Sequence, residues 1–426
     1  MESDSRLNGD YFMLERTMAK VIEEYSARFK VLLLTGQRQV GKTTLLDELV
    51  HKKRPYITLD NPRHRILAQN DPELFLEENP PPILIDEVQY APELFPYIKM
   101  YVDSHKKHKG GAARGAFWLT GSQKYKLMKG ISESLAGRIV ILELLGLSYR
   151  EKIRLPYSGK PFIPEFASSQ KKDKETKLKS LSVKEIYKHI WEGSLPEPIA
   201  DKKIKREAFY SSYIQSYIER DVRDFYSIEK PVQFYNFLSA VAARTGNLVN
   251  YSKLAQDVSV DLKTAQTWMG ILERSGLVYL LQPYSPNATS RIIKTPKVYF
   301  MDTGLCSYLC RWETPETLYS GAMDGAILET WCFGEILKSY WNNGIDPLIY
   351  FYRDTDQKEI DFIIEKNMTL HPIEVKKTAM PDEKDIKNFK VIEKLGKKTG
   401  TGAVLCLCKE RTAINREAVS IPVWEI

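Results

Sequence analysis

The sequence predicts an α/β protein in three parts: a parallel-sheet unit, then a helical unit, then a small mixed α/β unit. Three observations carry this. From residue 31 to about 147, short apolar runs alternate with helical stretches, the pattern of strands joined by crossover helices. Residues 184–240 hold tyrosines and aliphatic side chains at three- and four-residue spacing, which reads as helix. Beyond residue 348, two apolar strand-like runs flank a charged turn. The chain therefore divides into residues 1–153, a connecting segment 154–182, a helical unit 183–290 and a final unit 291–426.

Composition agrees with several folded cores. The chain has 426 residues, 43% hydrophobic and 27% charged, which excludes a disordered polymer. Its net charge of +7 permits an acidic partner such as nucleic acid without requiring one. The cysteines Cys306, Cys310, Cys332, Cys406 and Cys408 are odd in number and lie at no zinc spacing, so reduced cytoplasmic thiols are expected. The opening MESDSRLNGD is not a secretory signal, and the apolar stretch near 139–147 is short and holds Glu143. A cytoplasmic protein with no membrane partner is the expectation.

In the first unit, residues 10–30 read as a helix with Arg16, Lys20, Glu23 and Glu24 on a solvated face. Strands are expected at 31–35, 56–59, 83–86, 116–120 and 139–144. Residues 154–182, with three prolines and the run Lys171, Lys172, Asp173, Lys174, read as a linker or a long mobile loop. The stripe Phe209, Tyr210, Tyr213 and Tyr217 reads as core.

Chemistry begins at residues 36–43, GQRQVGKT, which fit the phosphate-loop pattern between an apolar strand and a helix. Gly36, Gln37, Arg38, Gln39, Val40, Gly41, Lys42, Thr43 and Thr44 are the candidate nucleotide-binding residues. The glycines let backbone N–H groups face a phosphate at the positive end of the new helix. Lys42 reaches the β- and γ-phosphates, and the Thr43 hydroxyl ligates Mg²⁺. A second signal is Ile83, Leu84, Ile85, Asp86, Glu87: a buried strand ending in two acids. Asp86 is then a Mg²⁺ ligand and Glu87 the base that polarises water. A third run, FWLTGSQ at 117–123, offers Ser122, with Thr120 as the alternative, to orient that water. Arg138 is the candidate arginine for the γ-phosphate, in cis or from a neighbouring copy in a homo-oligomer.

In this order GQRQVGKT, ILIDEVQ, LTGSQ and SLAGR, followed by YIQSYIERDVRDF at 213–225, resemble the AAA+ ATPases. More closely, they resemble the group that fuses a short ATPase core to a C-terminal domain of formerly unknown function. The resemblance spans about residues 30–380. It implies ATP rather than GTP, and no N-K-x-D guanine-reading motif occurs.

Residues 251–258 read as a short helix with a serine cap, and 259–261 as a turn. A second helix over 262–273 is apolar at Ala265, Trp268, Met269, Ile271 and Leu272, and a strand begins after Gly276. Helix, turn, helix and hairpin strand is the winged helix-turn-helix layout. Lys263, Thr264, Gln266 and Thr267 would face the major groove of double-stranded DNA, although the same fold also docks proteins.

Finally, a hairpin would bring Asp361 and Glu374 together, with Lys376 on the face of Glu374. Two carboxylates can hold Mg²⁺ beside a lysine that activates water. The set resembles the PD-(D/E)xK core of restriction-endonuclease-like folds, to which Glu329 on a preceding helix adds a further acid. No proline precedes Asp361. The expectation is an ATPase that couples hydrolysis to DNA binding or processing. The competing one is an ATP-gated protein-interaction switch with an inactive nuclease-like unit.

Overall fold

The computed structural model describes residues 14–50, 54–104, 114–122, 131, 133–155, 159–166, 178–217, 230–286 and 295–426. Gln123, the lysine run at 171–174 and residues 218–225 lie outside the described residues, as do residues 10–13 of the expected first helix.

Five parallel strands form the first sheet: β1 (Val31–Thr35), β2 (Tyr56–Thr58), β3 (Ile83–Asp86), β4 (Phe117–Gly121) and β5 (Ile139–Glu143). Their order is β2-β3-β4-β1-β5. β1 is apolar from Val31 to Leu34 because both of its faces are covered. Leu32 and Leu34 enter one core with Leu84 and Trp118, while Val31 and Leu33 enter the other with Ile85 and Leu119. All five expected strands are present, within a residue or so at their ends. β4 lies between β1 and β3, so the C-terminal ends of these three strands meet at one edge.

The first helix is shorter than expected, Met18–Ser26. Arg16 lies just before it and is buried rather than solvated. Its guanidinium donates to Val40 O at 2.8 Å and Leu145 O at 2.7 Å and pairs with Glu151 Oε1 at 3.3 Å. The connecting segment is also less free than composition suggests. Phe162 is buried, its N–H donates to Ser339 Oγ at 3.0 Å, and its carbonyl accepts from Tyr340 Oη at 2.9 Å.

The middle unit holds the helices Val183–Glu192, Arg206–Ser216, Pro231–Ala242, Tyr251–Asp257 and Leu262–Arg274. Phe209, Tyr210, Tyr213 and Tyr217 are buried, as their spacing predicts. The serine cap is corrected: the Asn250 side chain, two residues before Ser252, accepts from Lys253 N at 2.9 Å. Asp261 caps the Leu262–Arg274 helix. Its apolar stripe of Ala265, Trp268, Met269, Ile271 and Leu272 is buried. A small antiparallel sheet completes the unit: β6 (Asn247–Leu248), β7 (Val278–Leu281) and β8 (Lys297–Phe300), in the order β6-β8-β7. Pairing with β7 ties β8 to this sheet, past residue 290 where the sequence reading divided the units.

The third sheet follows the long helix Asp324–Trp341. β9 (Ile349–Arg353), β10 (Glu359–Lys366) and β11 (Thr369–Val375) form an antiparallel meander. Asn367 and Met368 make its tight turn with positive φ at both positions. β12 (Gly402–Cys406) and β13 (Ala418–Pro422) extend it in parallel from β11. Among the described residues no helix is long and apolar enough to cross a membrane.

Candidate functional site

The first site is built at the C-terminal edge of the parallel sheet. β1 ends at Thr35, and the chain turns through Gly36 at φ +142. A Cβ at Gly36 would lie 2.2 Å from Leu144 O, so only glycine fits there. Gly41, left-handed at φ +88, starts the helix Lys42–Leu49. Lys42 is buried, and its ammonium donates to the loop carbonyls of Gly36 at 3.0 Å and Gln37 at 2.9 Å. The loop is thus already wound around a cation, with a helix N-terminus beneath it.

Thr43 Oγ1 donates to Asp86 Oδ1 at 3.0 Å, which joins the helix start to the end of β3. Thr120 on β4 also donates to Asp86 Oδ1, and Tyr56 Oη donates to Oδ2 at 2.9 Å. Burial, and then the Asp86 charge, push the Tyr56 phenol above its ordinary range, so it stays a donor. Glu87 adopts left-handed backbone at φ 56, an uncommon state for a non-glycine residue. Its Oε2 accepts from Gln89 Nε2 and faces Ser122 Oγ at 3.5 Å. Thr43, Asp86, Glu87, Thr120 and Ser122 therefore converge from three elements, as the order β3-β4-β1 requires. Sequence reasoning missed Tyr56 and Gln89. Gln89 lay in the quoted ILIDEVQ run, whereas nothing in the sequence places Tyr56 at this edge.

Arg138 does not join this group. Parallel pairing sets Val31 beside Ile139, so Arg138 sits at the N-terminal edge of the sheet. Five residues of strand at about 3.3 Å each separate that edge from the phosphate loop. Its guanidinium instead makes a two-pronged pair with Asp103, Nε to Oδ1 at 2.8 Å and Nη2 to Oδ2 at 2.9 Å. The cis role is therefore excluded.

The middle unit rests on the loop. Gln37 Nε2 donates to Tyr213 Oη at 2.7 Å, and Gly276 lies against the same residue, a Cβ there falling at an ordinary contact distance of 3.6 Å from Gln37 N. Tyr217 Oη lies 2.9 Å from Ser275 Oγ. On the expected groove-facing helix, Lys263, Gln266 and Thr267 are exposed. Thr264 is committed elsewhere: its N–H donates to Asp261 Oδ1 at 2.8 Å and its hydroxyl to Oδ2 at 2.6 Å.

The distal carboxylates also come together. Asp361 Oδ2 accepts from Val375 N at 2.8 Å, and Lys376 Nζ lies 2.6 Å from Glu374 Oε2. Burial, then the neighbouring Asp361 charge, raise the Glu374 carboxyl to about 8. The same causes raise Glu329 to about 7. The sequence did not foresee Lys297 of β8. Its ammonium lies 2.6 Å from Glu359, 3.1 Å from Glu329 and 3.9 Å from Asp361. Among the described residues no group of three or more His, Cys, Asp or Glu side chains is disposed to hold a metal. The expected Mg²⁺ pair, Asp361 and Glu374, thus stands carboxyl to carboxyl, with Lys376 on Glu374 and Lys297 reaching Asp361 from the side of Glu329 and Glu359.

Comparison with known families follows the same order along the chain. Residues 28–153 match the family described as AAA domain. They form an AAA-type domain. Residues 183–316 and 324–426 each match a family described as a domain of unknown function (DUF8612 and DUF4143, respectively). An uncharacterized protein of Mycobacterium tuberculosis is 28% identical over 358 residues, 83% of this chain and 72% of its own length. An uncharacterized protein of Methanocaldococcus jannaschii is 23% identical over 355 residues, 77% of this chain and 70% of its own. Among solved structures, a Walker-type ATPase of Pyrococcus abyssi aligns with 70% of this chain and 96% of its own. Its identity is 13% and its TM-score 0.44. The AAA-type domain thus contains the whole phosphate-loop site, from Gly36 to Ser122.

Proposed function

We propose that the AAA-type domain binds and hydrolyses ATP and that the middle unit couples this cycle to double-stranded DNA. One observation carries the hydrolysis reading: Thr43, Asp86 and Glu87 meet beside a phosphate loop whose lysine is already in place. In this reading the loop N–H groups and Lys42 bind the phosphates. Thr43 and Asp86 would hold Mg²⁺, which supplies charge neutralisation when bound. Glu87, oriented by Gln89 and Ser122, accepts the proton of the attacking water. Arg138, at the opposite edge, acts only if a neighbouring copy presents it.

The DNA reading rests on the order helix, short strand, helix, helix, hairpin over 231–300, which we read as a winged helix presenting Lys263, Gln266 and Thr267. We read the third unit as restriction-endonuclease-like, from its antiparallel meander followed by parallel strands. A cleft of ≈ 550 Å³ in that unit, lined by Lys358, Lys387, Lys390 and Lys394 with Asp356, supports a polyanionic partner. The switch reading, in which ATP gates a protein surface, is favoured by one feature of the groove-facing helix. Asp261 lies at its start beside the exposed Leu262, where a DNA reader would carry cations.

ATP turnover measured with and without duplex DNA, at low and physiological salt, tests the proposal. Glu87→Gln lowers turnover by roughly 10²–10⁴-fold while nucleotide still binds. Duplex DNA stimulates turnover at low salt, and the stimulation fades steeply as salt rises. Turnover unchanged by Glu87→Gln overturns the assignment of the base. Indifference to DNA at low salt overturns the partner and leaves the protein switch.

A further inference from the structure

The distal cluster brings together parts of the chain that are far apart in sequence. Glu329 comes from the Asp324–Trp341 helix, Glu359 and Asp361 from β10, and Glu374 and Lys376 from β11. Of these charged groups Lys297 alone comes from the middle unit, at the first position of β8. Its side chain is 4% exposed. The Phe351 ring lies 5.7 Å from the ammonium, and Tyr299 Oη donates to the Glu329 oxygen that Lys297 also contacts.

A divalent cation would need several carboxylate oxygens drawn in to 2.0–2.6 Å. Here Glu329, Glu359 and Asp361 are turned toward the Lys297 ammonium, and Asp361 Oδ2 accepts from Val375 N. Charge balance points the same way. With every carboxyl ionised, as a bound cation would require, Glu329, Glu359, Asp361 and Glu374 are set against Lys297, Lys376 and Arg353, the last 3.4 Å from Glu359. With Lys297 present, a further divalent ion would overfill the cluster and meet a like charge at its centre. Without Lys297, two negative charges are left over, which one divalent ion would match.

We infer that the Lys297 ammonium takes the place of a divalent cation in this cluster, joining the middle unit to the C-terminal sheet through a metal-independent ionic joint. Asp361 and Glu329, two of the acids expected to serve phosphodiester cleavage, are thereby committed to holding two units of the chain together, while Glu374 pairs with Lys376. This inference does not depend on the ATPase reading, because it concerns residues outside the AAA-type domain.

Mn²⁺ is the probe, used on the full chain without nucleotide, with calorimetric titration and thermal unfolding as readouts. Wild type and Lys297→Arg show no Mn²⁺ uptake that Asp361→Asn abolishes. Lys297→Met unfolds at lower temperature, takes up Mn²⁺ at a site that wild type lacks, and regains part of the lost stability when Mn²⁺ is added. Adding Asp361→Asn to Lys297→Met removes that response. Wild-type Mn²⁺ uptake that disappears in Asp361→Asn overturns the inference, and this arm does not require Lys297→Met to fold. A Lys297→Met response equal to that of wild type overturns it as well.

Discussion

Replacing Arg16 with methionine tests how the phosphate loop is braced. The guanidinium is 5% exposed and its partner carboxylate on Glu151 is fully buried. Removing it orphans two carbonyls, Val40 O in the loop and Leu145 O, and leaves Glu151 charged with only backbone donors, Thr17 N and Ser148 N, both at 2.8 Å. Breaking a buried pair on one side costs about 3–5 kcal/mol, which in a unit of 150–250 residues lowers Tm by roughly 6–20 °C. Urea unfolding of wild type, Arg16→Met, Glu151→Gln and the double variant measures it. The double variant loses less than the two single ones together, with a coupling of roughly 0.5–3 kcal/mol. Nucleotide affinity falls in Arg16→Met, because Val40 lies within the loop. A single-variant loss below about 1 kcal/mol, or strict additivity, would refute the idea that this buried pair carries the loop.

Other outcomes follow from the same geometry. Gly36→Ala drives a Cβ to 2.2 Å from Leu144 O at a left-handed position, so binding of a fluorescent ATP analogue weakens at least about 10-fold. Trp268→Ala removes a buried ring edge-on to Phe234 and Phe237, at 5.3 and 5.5 Å, and costs about 3–5 kcal/mol in urea unfolding. Burial, with the Lys152 charge adding to it, lowers His189 to about 4 from its ordinary value near 6.5. The unfolded chain therefore takes up the proton first as pH falls. The stability that depends on neutral His189 is complete above pH 6.5 and is lost between about 6.5 and 4. His189→Gln flattens that part of a Tm–pH profile, and an unchanged slope would count against the assignment.

Local pattern made much of this molecule legible. The central strands β1, β3 and β4 are buried runs covered on both faces, and their ends follow from the glycines and acids at or behind them. The Leu262–Arg274 helix was readable because its buried side chains recur every three or four residues. What escaped depends on partners far away in sequence. Arg16 looked like a surface arginine because Glu151, which buries it, is 135 residues away. Arg138 followed a glycine in a suggestive run, but only strand register shows which edge of the sheet it occupies. Lys297 opens an apolar strand as an ordinary flanking lysine would, and its carboxylates come from another sheet and helix. Asn250 and Ser252 are both good caps, and backbone geometry rather than composition chose between them.

Gln37 belongs to two structures at once. Its backbone shapes the phosphate loop, and its side chain holds the hydroxyl of Tyr213 in the middle unit. A ligand that binds the middle unit more tightly when Tyr213 is displaced alters the free energy of seating a phosphate in the loop by as much as the loss of this contact changes the loop. Equilibrium thermodynamics then imposes a symmetry: the factor by which that ligand changes nucleotide affinity equals the factor by which nucleotide changes the ligand's. One amide–hydroxyl contact thus lets occupancy at the loop be read from the other side of the molecule, by measuring the partner alone.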